Sequence, residues 1–200
     1  MALLLSFFPV ASQKIVRKTI ALPFTNMLQI DARQCSRVEL ETRAVETLEV
    51  EAIIDGEYSN EILLQFGEEG STITVEAGVQ PLFKPPNDKL SAHKVVSVSL
   101  KVVLPEHRRV QLYGSRATFT ARGTYESLRL ILEKGGCSLL NVTGQAEVST
   151  HTADIYVESP GATILAESRY GTVSPHRIPS GDTYYKLWTI SGNIRLIRME

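Results

Sequence analysis

The side chains of this chain that could carry chemistry are few and scattered. Its four histidines, His93, His107, His151 and His176, show neither helical nor hairpin metal-ligand spacing. No His-Glu-x-x-His, P-loop, Gly-x-Ser-x-Gly or paired-cysteine motif occurs in the sequence. We therefore expect solvated histidines, no metal ion and no cofactor.

An active site for polysaccharide cleavage would need carboxylates gathered in a groove beside an arginine or lysine base. The candidates are Arg129, Arg169 and Arg195 together with Glu133 and Glu167. Their positions in the sequence repeat described below belong to an ordinary mixed outer face. The sequence therefore predicts no catalytic residues and no enzyme.

Calcium is a second chemistry to weigh, since some β-rolls bind it through stacked acidic turns. The equivalent turn positions of the repeat hold Arg116, Gly136, Asp154 and Asn193. Carboxylates do not stack at these positions, so no calcium site is predicted.

Apolar and aromatic residues in the C-terminal half of the chain form the strongest candidate for a ligand or partner surface. The candidate residues are Trp188, Tyr184, Tyr185, Ile131 and Leu165. Aromatic rings with polar neighbours can stack on sugars, but the same rings could close one end of the core. Apolar residues on an outer face need a cover, which could be the N-terminal strands, the segment from Gln80 to His93, a partner or another copy.

Composition excludes several classes of protein. The 200 residues are 43% hydrophobic and 22% charged with a formal net charge of −1, which is typical of a globular domain. Nucleic acid is not an expected partner, because binding its backbone needs a concentrated positive field. Two cysteines are too few for a disulfide scaffold or a four-ligand zinc site. Whether Cys35 and Cys137 pair stays open, although Cys137 falls on an inward position of the repeat.

The first residues have features of an export signal. An apolar run from Leu3 to Phe8 precedes small residues, Val10 and Ser12, at the −3 and −1 positions of a signal-peptidase site. Residues 1–12 are therefore predicted to be a signal peptide or its remnant, although no basic residue precedes the run; a buried first strand is the alternative. No other stretch approaches the ~20 apolar residues that span a bilayer. We expect an exported protein of the periplasm or cell surface without a membrane span.

Apolar and polar residues alternate along most of the chain, and almost no segment shows helical periodicity. Examples are Leu48-Glu-Val-Glu-Ala-Ile-Ile and Val96-Ser-Val-Ser-Leu-Lys-Val-Val-Leu, separated by turn signals such as Asp55-Gly56. The sequence predicts an all-β chain. An N-terminal β region, 13–105, and a C-terminal region, 106–200, are expected to form one continuous domain.

A repeat runs through residues 106–200. Each copy has inward residues at its first, third, eighth and tenth positions, with a corner of small residues between the two pairs. The copies start at Val110, Leu130, Val148, Ile164 and Leu187, with corners at Ser115-Arg116, Gly135-Gly136, Ala153-Asp154 and Gly192-Asn193. One copy cannot bury its apolar face alone, so the copies are expected to stack. The pattern favours a short β-solenoid of two-strand rungs, continued or capped by the N-terminal strands; an antiparallel meander of hairpins is the alternative.

The last copy resembles a known bacterial pattern. Thr189-Ile-Ser-Gly-Asn-Ile-Arg-Leu196, with a weaker echo in Thr150-His-Thr-Ala-Asp-Ile-Tyr-Val157, is similar to the Ser-Gly-Asx-Ile rungs of exported "putative adhesin" domains, including head GIN domains. The resemblance covers roughly residues 15–200 and implies export, a right-handed β-solenoid or β-roll, and no established catalytic residues. The full match is Ser191, Gly192, Asn193 and Ile194, for which the resemblance implies a corner-forming role.

These observations together predict a non-catalytic, exported, adhesin-like binding or structural module of the cell envelope. Two alternatives stay open: a carbohydrate-binding protein that uses an aromatic surface around Trp188, and a self-associating envelope protein. The partner could be a cell-surface glycan, a protein or another copy of the chain.

Overall fold

The computed structural model describes residues 13–22, 26–56, 59–79, 97–175 and 177–199. The predicted signal peptide and the segment Gln80–His93 lie outside these ranges. The strands are β1 (Lys14–Ala21), β2 (Met27–Asp31), β3 (Arg37–Arg43), β4 (Thr47–Asp55), β5 (Ile62–Glu69), β6 (Thr72–Val79), β7 (Ser97–Pro105), β8 (Arg108–Gly114), β9 (Thr118–Leu132), β10 (Gly136–Thr150), β11 (Asp154–Ser159), β12 (Thr163–Ser168), β13 (Tyr184–Thr189) and β14 (Ile194–Arg198). Apart from one 3-10 turn, Ser59–Glu61, the described ranges contain no helix. The prediction of an all-β chain is confirmed.

All fourteen strands belong to one sheet, which two long strands divide into two runs. The first half of β9 pairs with β3 and with the first half of β10, whereas its second half pairs with β8 and with the second half of β10. We call the order β1-β4-β7-β3-β9-β10-β11-β14 run A, and the order β5-β6-β2-β8-β9-β10-β13-β12 run B. The inward side chains of both runs share one hydrophobic core.

Glycines mark the places where the long strands pass from one run to the other. Gly123 in β9 and Gly144 in β10 have φ values of 99° and 97°, a region that favours glycine. A Cβ on Gly144 would lie 1.8 Å from the carbonyl oxygen of Tyr125, on the neighbouring strand. The two bends therefore stack too closely for any larger residue at Gly144.

Parallel pairing dominates the sheet. Among the described strands, β1–β4, β4–β7 and β5–β6 are antiparallel and every other pair is parallel. Because the pairs within residues 106–200 are parallel, the alternative of an antiparallel meander is wrong for this region.

The spatial order of the last strands differs from their order in the chain. Strand β13 lies between β10 and β12, and β14 lies between β11 and Val173, which bridges to Ile194. Strand β12 therefore comes before β13 in the chain but lies outside it in the sheet, whereas β13 and β14 lie directly beside β10 and β11.

The register of the repeat differs from the sequence alignment at two copies. Val110 pairs with Leu128 rather than Leu130, and Ile164 pairs with Tyr185 rather than Leu187. Both slips are of two residues, which leaves every side chain on its expected side of the sheet. The corner assigned to Ser115-Arg116 shifts likewise to Ala117-Thr118, since Thr118 is the residue paired with Gly136.

Candidate binding surface

Strand β13 presents three side chains on the outer side of run B. Tyr184 is 39% exposed and Trp188 is 38% exposed, with the exposed Lys186 between them. The alternate residues Tyr185 and Leu187 are buried. Hydrogen bonding to β10 on one side and β12 on the other fixes this strand, so the outward side chains project from a rigid support.

Tyr185 does not belong to the outer surface, and the sequence prediction is wrong for this residue. Its side chain is fully buried, because it occupies the inward phase of β13. Its hydroxyl donates a hydrogen bond to the carbonyl oxygen of Val142, 2.5 Å away, and burial raises the pKa of the phenol. Tyr185 therefore anchors β13 to the bend of β10.

The predicted apolar column around Trp188 is not continuous. Trp188 lies between Ser149 on β10 and Glu167 on β12. Ile131 lies on β9, on the far side of Ser149, and is therefore two strands away from Trp188. With strands about 4.8 Å apart, Ile131 is about 10 Å from Trp188, and it is half-buried. Leu165, 57% exposed, is paired with Lys186 instead. The two-residue slip of the copy at Ile164 explains this displacement.

A row of charged side chains separates Tyr184 from Trp188. Lys186 Nζ lies 2.9 Å from Glu147 Oε1, and Arg129 Nε lies 3.7 Å from the other oxygen of the same carboxylate. The hydrogen bond from Lys186 is the main reason that the pKa of Glu147 falls below its ordinary value, against a smaller opposing effect of burial. Beside this row, a depression of about 270 Å³ is lined by residues that include Gln145 and Tyr184.

The surface therefore combines two exposed aromatic rings with cationic hydrogen-bond donors and an anionic acceptor. Such an arrangement suits a polyhydroxylated ligand, since a ring can stack on its apolar face while charged groups bond its hydroxyls. The alternation of β13 was readable in the sequence. The Arg129–Glu147–Lys186 row was not, because it depends on the register between β9, β10 and β13.

Of the predicted corner residues, Ser191, Gly192 and Asn193 lie in the connection between β13 and β14, and Ile194 is the first residue of β14. A Cβ on Gly192 would lie 2.1 Å from the carbonyl oxygen of Ala153 in the neighbouring corner. The Asn193 amide N–H donates to Asp154 Oδ1 at 2.6 Å, and its side-chain oxygen accepts from both the amide and the hydroxyl of Thr172. These polar groups are occupied with one another.

Buried hydroxyls support the same corners from within. Thr150 Oγ1 donates to the carbonyl oxygen of Ala153 at 2.9 Å and lies 2.8 Å from Thr189 Oγ1. The amide of Gly192 donates to Thr189 Oγ1 at 3.0 Å. Ser168 and Gly171 repeat this arrangement: the Gly171 amide donates to the Ser168 hydroxyl at 2.9 Å. In the sequence, the signal for this support is a hydroxyl residue three positions before a small one.

A second depression, of about 500 Å³, lies on run A. Asp154, Tyr156, Asn193 and Arg195 are among its lining residues. Two of these, Asp154 and Asn193, already bond each other across the corner. We therefore assign the polar groups at this end of the depression to the architecture.

The residues considered for catalysis are not brought together. Arg195 lies on β14 in run A and Glu167 on β12 in run B, while Arg129 forms an ion pair with Glu147 and Arg169 lies over the ring of Tyr170. His107 and His151 are exposed, and His93 and His176 lie outside the described residues. Within the described ranges, no group of three or more His, Cys, Asp or Glu side chains could hold a metal ion.

Both cysteines are free thiols buried in the core. Burial raises the pKa of the Cys137 thiol to about 12, and burial is also the main cause that raises the pKa of Cys35 to about 12. Cys137 packs inward between Phe119 and Ile155 on the adjacent strands.

Comparison with solved structures finds a relative of the same architecture. A "putative cell adhesion protein" from Clostridium sporogenes ATCC 15579 superimposes with a TM-score of 0.67 at 14% sequence identity, covering 94% of this chain and 100% of that chain. The likeness shows a shared fold. Two further structures superimpose less closely. They are a "putative adhesin" from Bacteroides fragilis NCTC 9343 (TM-score 0.40, 10% identity, 94% of this chain and 99% of that chain) and a "putative lipid binding protein" from Parabacteroides distasonis ATCC 8503 (TM-score 0.31, 11% identity, 93% and 97%).

Comparison with models of known protein families finds no match, and comparison with curated protein sequences finds none. None of the described residues forms a helix long and apolar enough to cross a membrane.

Proposed function

We propose that this chain is an exported, non-catalytic, adhesin-like binding module of the cell envelope, whose ligand contacts the outer side of β13. The observation that carries the proposal is the pair of exposed rings, Tyr184 and Trp188, on one strand fixed from both sides. Large side chains held in place before binding lose little conformational entropy when a ligand arrives. The solved relative with the same fold is named for cell adhesion, which supports the same class of function.

The architecture that we propose for residues 106–200 is a short right-handed β-solenoid of the head GIN type, with residues 13–105 continuing it in the same domain. In-register parallel pairs and corners that touch through Gly192 and Ala153 support the stacking. The sheet and the core extend over both regions, which supports one domain. Residues 1–12 retain their interpretation as a signal peptide, and the periplasm or cell surface is the proposed location.

A carbohydrate is the ligand class that the surface favours. The charged row Arg129–Glu147–Lys186 offers donors and acceptors between the two rings, since Lys186 separates Tyr184 from Trp188 along β13. A glycan array tests this function with the wild-type chain, Trp188→Ala and a control, Tyr156→Ala, which removes an outward ring from run A. We expect glycan binding by wild type and the control, and at least a tenfold weaker signal for Trp188→Ala. Equal glycan binding by Trp188→Ala and wild type would rule out the outer side of β13 as the binding site. A wild-type chain that binds no glycan would contradict the carbohydrate function.

Self-association is a second candidate function, and one observation favours it. Among the described strands, β12 ends run B and pairs with β13 alone. An unpaired edge can accept a strand from another molecule.

A further inference from the structure

Within the described residues, strand β12 is a sheet edge without the usual protection. None of its six side chains is buried, Glu167 is its only charged residue, and its pairing with β13 runs without a bulge. Leu165, at its centre, is 57% exposed. Native proteins usually blunt such edges with charges, prolines, bulges or a covering segment.

The other three ends of the sheet show such protection. Strand β1 carries Lys14, Arg17 and Lys18, and β5 ends in two glutamates. The edge of β14 is covered by the chain at Val173 and Ser174, where the Ser174 amide donates to the Ile194 carbonyl at 2.8 Å. The contrast singles out β12.

The long segments outside the described ranges attach far from this edge. Residues 80–96 connect β6 to β7, and residues 1–12 precede β1. In run B, five strands separate β6 from β12, which at about 4.8 Å per strand is a distance of about 29 Å.

The sequence of β12 is complementary to itself when read in the opposite direction. In an antiparallel pairing centred on Leu165, this residue faces its own copy, Thr163 faces Glu167 and Ile164 faces Ala166. The two Glu167 side chains then lie about 14 Å apart, so no like charges meet. Ile164 and Ala166 already pack against the core from the inner side, and the same pairing would extend that apolar contact across the edge.

We propose that two copies of this chain associate through their β12 strands, antiparallel about a two-fold axis at Leu165, so that run B continues from one copy into the other. This inference rests on the self-association candidate and specifies its strand, register and symmetry. A two-fold axis closes the assembly at two copies, because it uses the free edge of each.

The proposal is tested first by light scattering of the wild-type chain over a range of concentrations, beside Leu165→Lys. Leu165 is exposed, so at concentrations where wild type is monomeric the lysine should leave the melting temperature unchanged. In the dimer it places two positive charges opposite each other. We expect a concentration-dependent dimer for wild type and at least a roughly tenfold weaker dimer for the variant. A wild-type chain that stays monomeric would overturn both the inference and the self-association candidate.

Disulfide trapping then tests strand and register. Opposed residues in an antiparallel pair have Cβ atoms about 4.5–5.5 Å apart, close to disulfide geometry. Leu165→Cys should cross-link with its own copy under mild oxidation, Glu167→Cys should not, and a mixture of Thr163→Cys with Glu167→Cys should. The buried native thiols keep the wild-type background low. A wild-type dimer that Leu165→Lys does not weaken, or equal cross-linking of Leu165→Cys and Glu167→Cys, would overturn the β12 pairing while leaving self-association itself in place.

Discussion

Lys186 Nζ lies 2.9 Å from Glu147 Oε1, between two strands of run B. The hydrogen bond from Lys186 is the largest cause of the lowered pKa of Glu147, and the charge of Arg129 is a smaller one. We predict that Lys186→Ala raises the pKa of Glu147 further than Arg129→Ala does, as measured by NMR titration. Equal shifts in the two variants would contradict the geometry of the row.

The same pair should contribute little to stability. Both side chains are about half exposed, at 52% and 40%, and exposed ion pairs are typically worth about 0–1 kcal/mol. We predict that Lys186→Ala changes the free energy of unfolding by less than about 1 kcal/mol, measured by urea denaturation. Weaker ligand binding by this variant would then reflect the surface itself and not loss of the fold.

Gly192→Ala should destabilise the protein, because its Cβ would lie 2.1 Å from the backbone oxygen of Ala153. Overpacking of this kind costs about 1–3 kcal/mol, and more where backbone must move. Gly136→Ala is the matched control, since a Cβ there meets nothing within 4 Å. We expect thermal unfolding to show a clear loss for Gly192→Ala and a change within about 0.5 kcal/mol for Gly136→Ala; equal effects would show that the corners do not stack closely.

Thr189→Val should destabilise the protein. It removes the hydroxyl that accepts a hydrogen bond from the amide of Gly192 and that lies within hydrogen-bond distance of the Thr150 hydroxyl. Valine has nearly the shape of threonine. The loss in the free energy of unfolding, about 1–3 kcal/mol, therefore reports the buried polar groups that are left without a partner. Thr118→Val, at an exposed position that begins β9, provides the control. A denaturation midpoint for Thr189→Val equal to that of the control would show that the buried hydroxyls of Thr150 and Thr189 do not support the corner.

Alkaline pH should weaken the fold through the buried thiols. The pKa of each is raised to about 12 from an ordinary value near 9. Below about pH 9 both states keep the protons; as the pH rises from there toward 12, only the unfolded state loses them, so unfolding becomes more favourable. We predict that the melting temperature falls more gently between pH 8 and 9.5 for a Cys35→Ala/Cys137→Ala variant than for wild type, whatever the difference at pH 7. Parallel curves would contradict the burial of the thiols.

The sequence predicted the strands well because burial alternates with a period of two. This periodicity also explains what it could not predict: a shift of two residues leaves the inward pattern unchanged, so Val110 matches Leu130 as well as Leu128. The contact of stacked backbones, such as Gly135 against Ala117, distinguishes these registers, and a single sequence does not reveal it.

The candidate binding surface was predictable only in part for the same reason. Alternation within one strand places Trp188 and Tyr184 outward. The same alternation places Tyr185 inward, against the prediction that grouped it with the surface residues. The neighbours of Trp188 depend on the insertion of β13 between β10 and β12. Parallel strands with similar patterns can exchange places without any change in composition, so the order of the last strands had to come from the structure.

Trp188 is the only tryptophan in the chain, so its fluorescence reports directly on the proposed binding surface. Titration with a glycan identified on the array should produce a saturable change in emission whose midpoint equals the dissociation constant measured independently by calorimetry. Tyr156→Ala should give the same curve, and Lys186→Ala should shift it to higher concentration. A glycan that binds by calorimetry and leaves the emission of Trp188 unchanged would contradict a ligand on the outer side of β13.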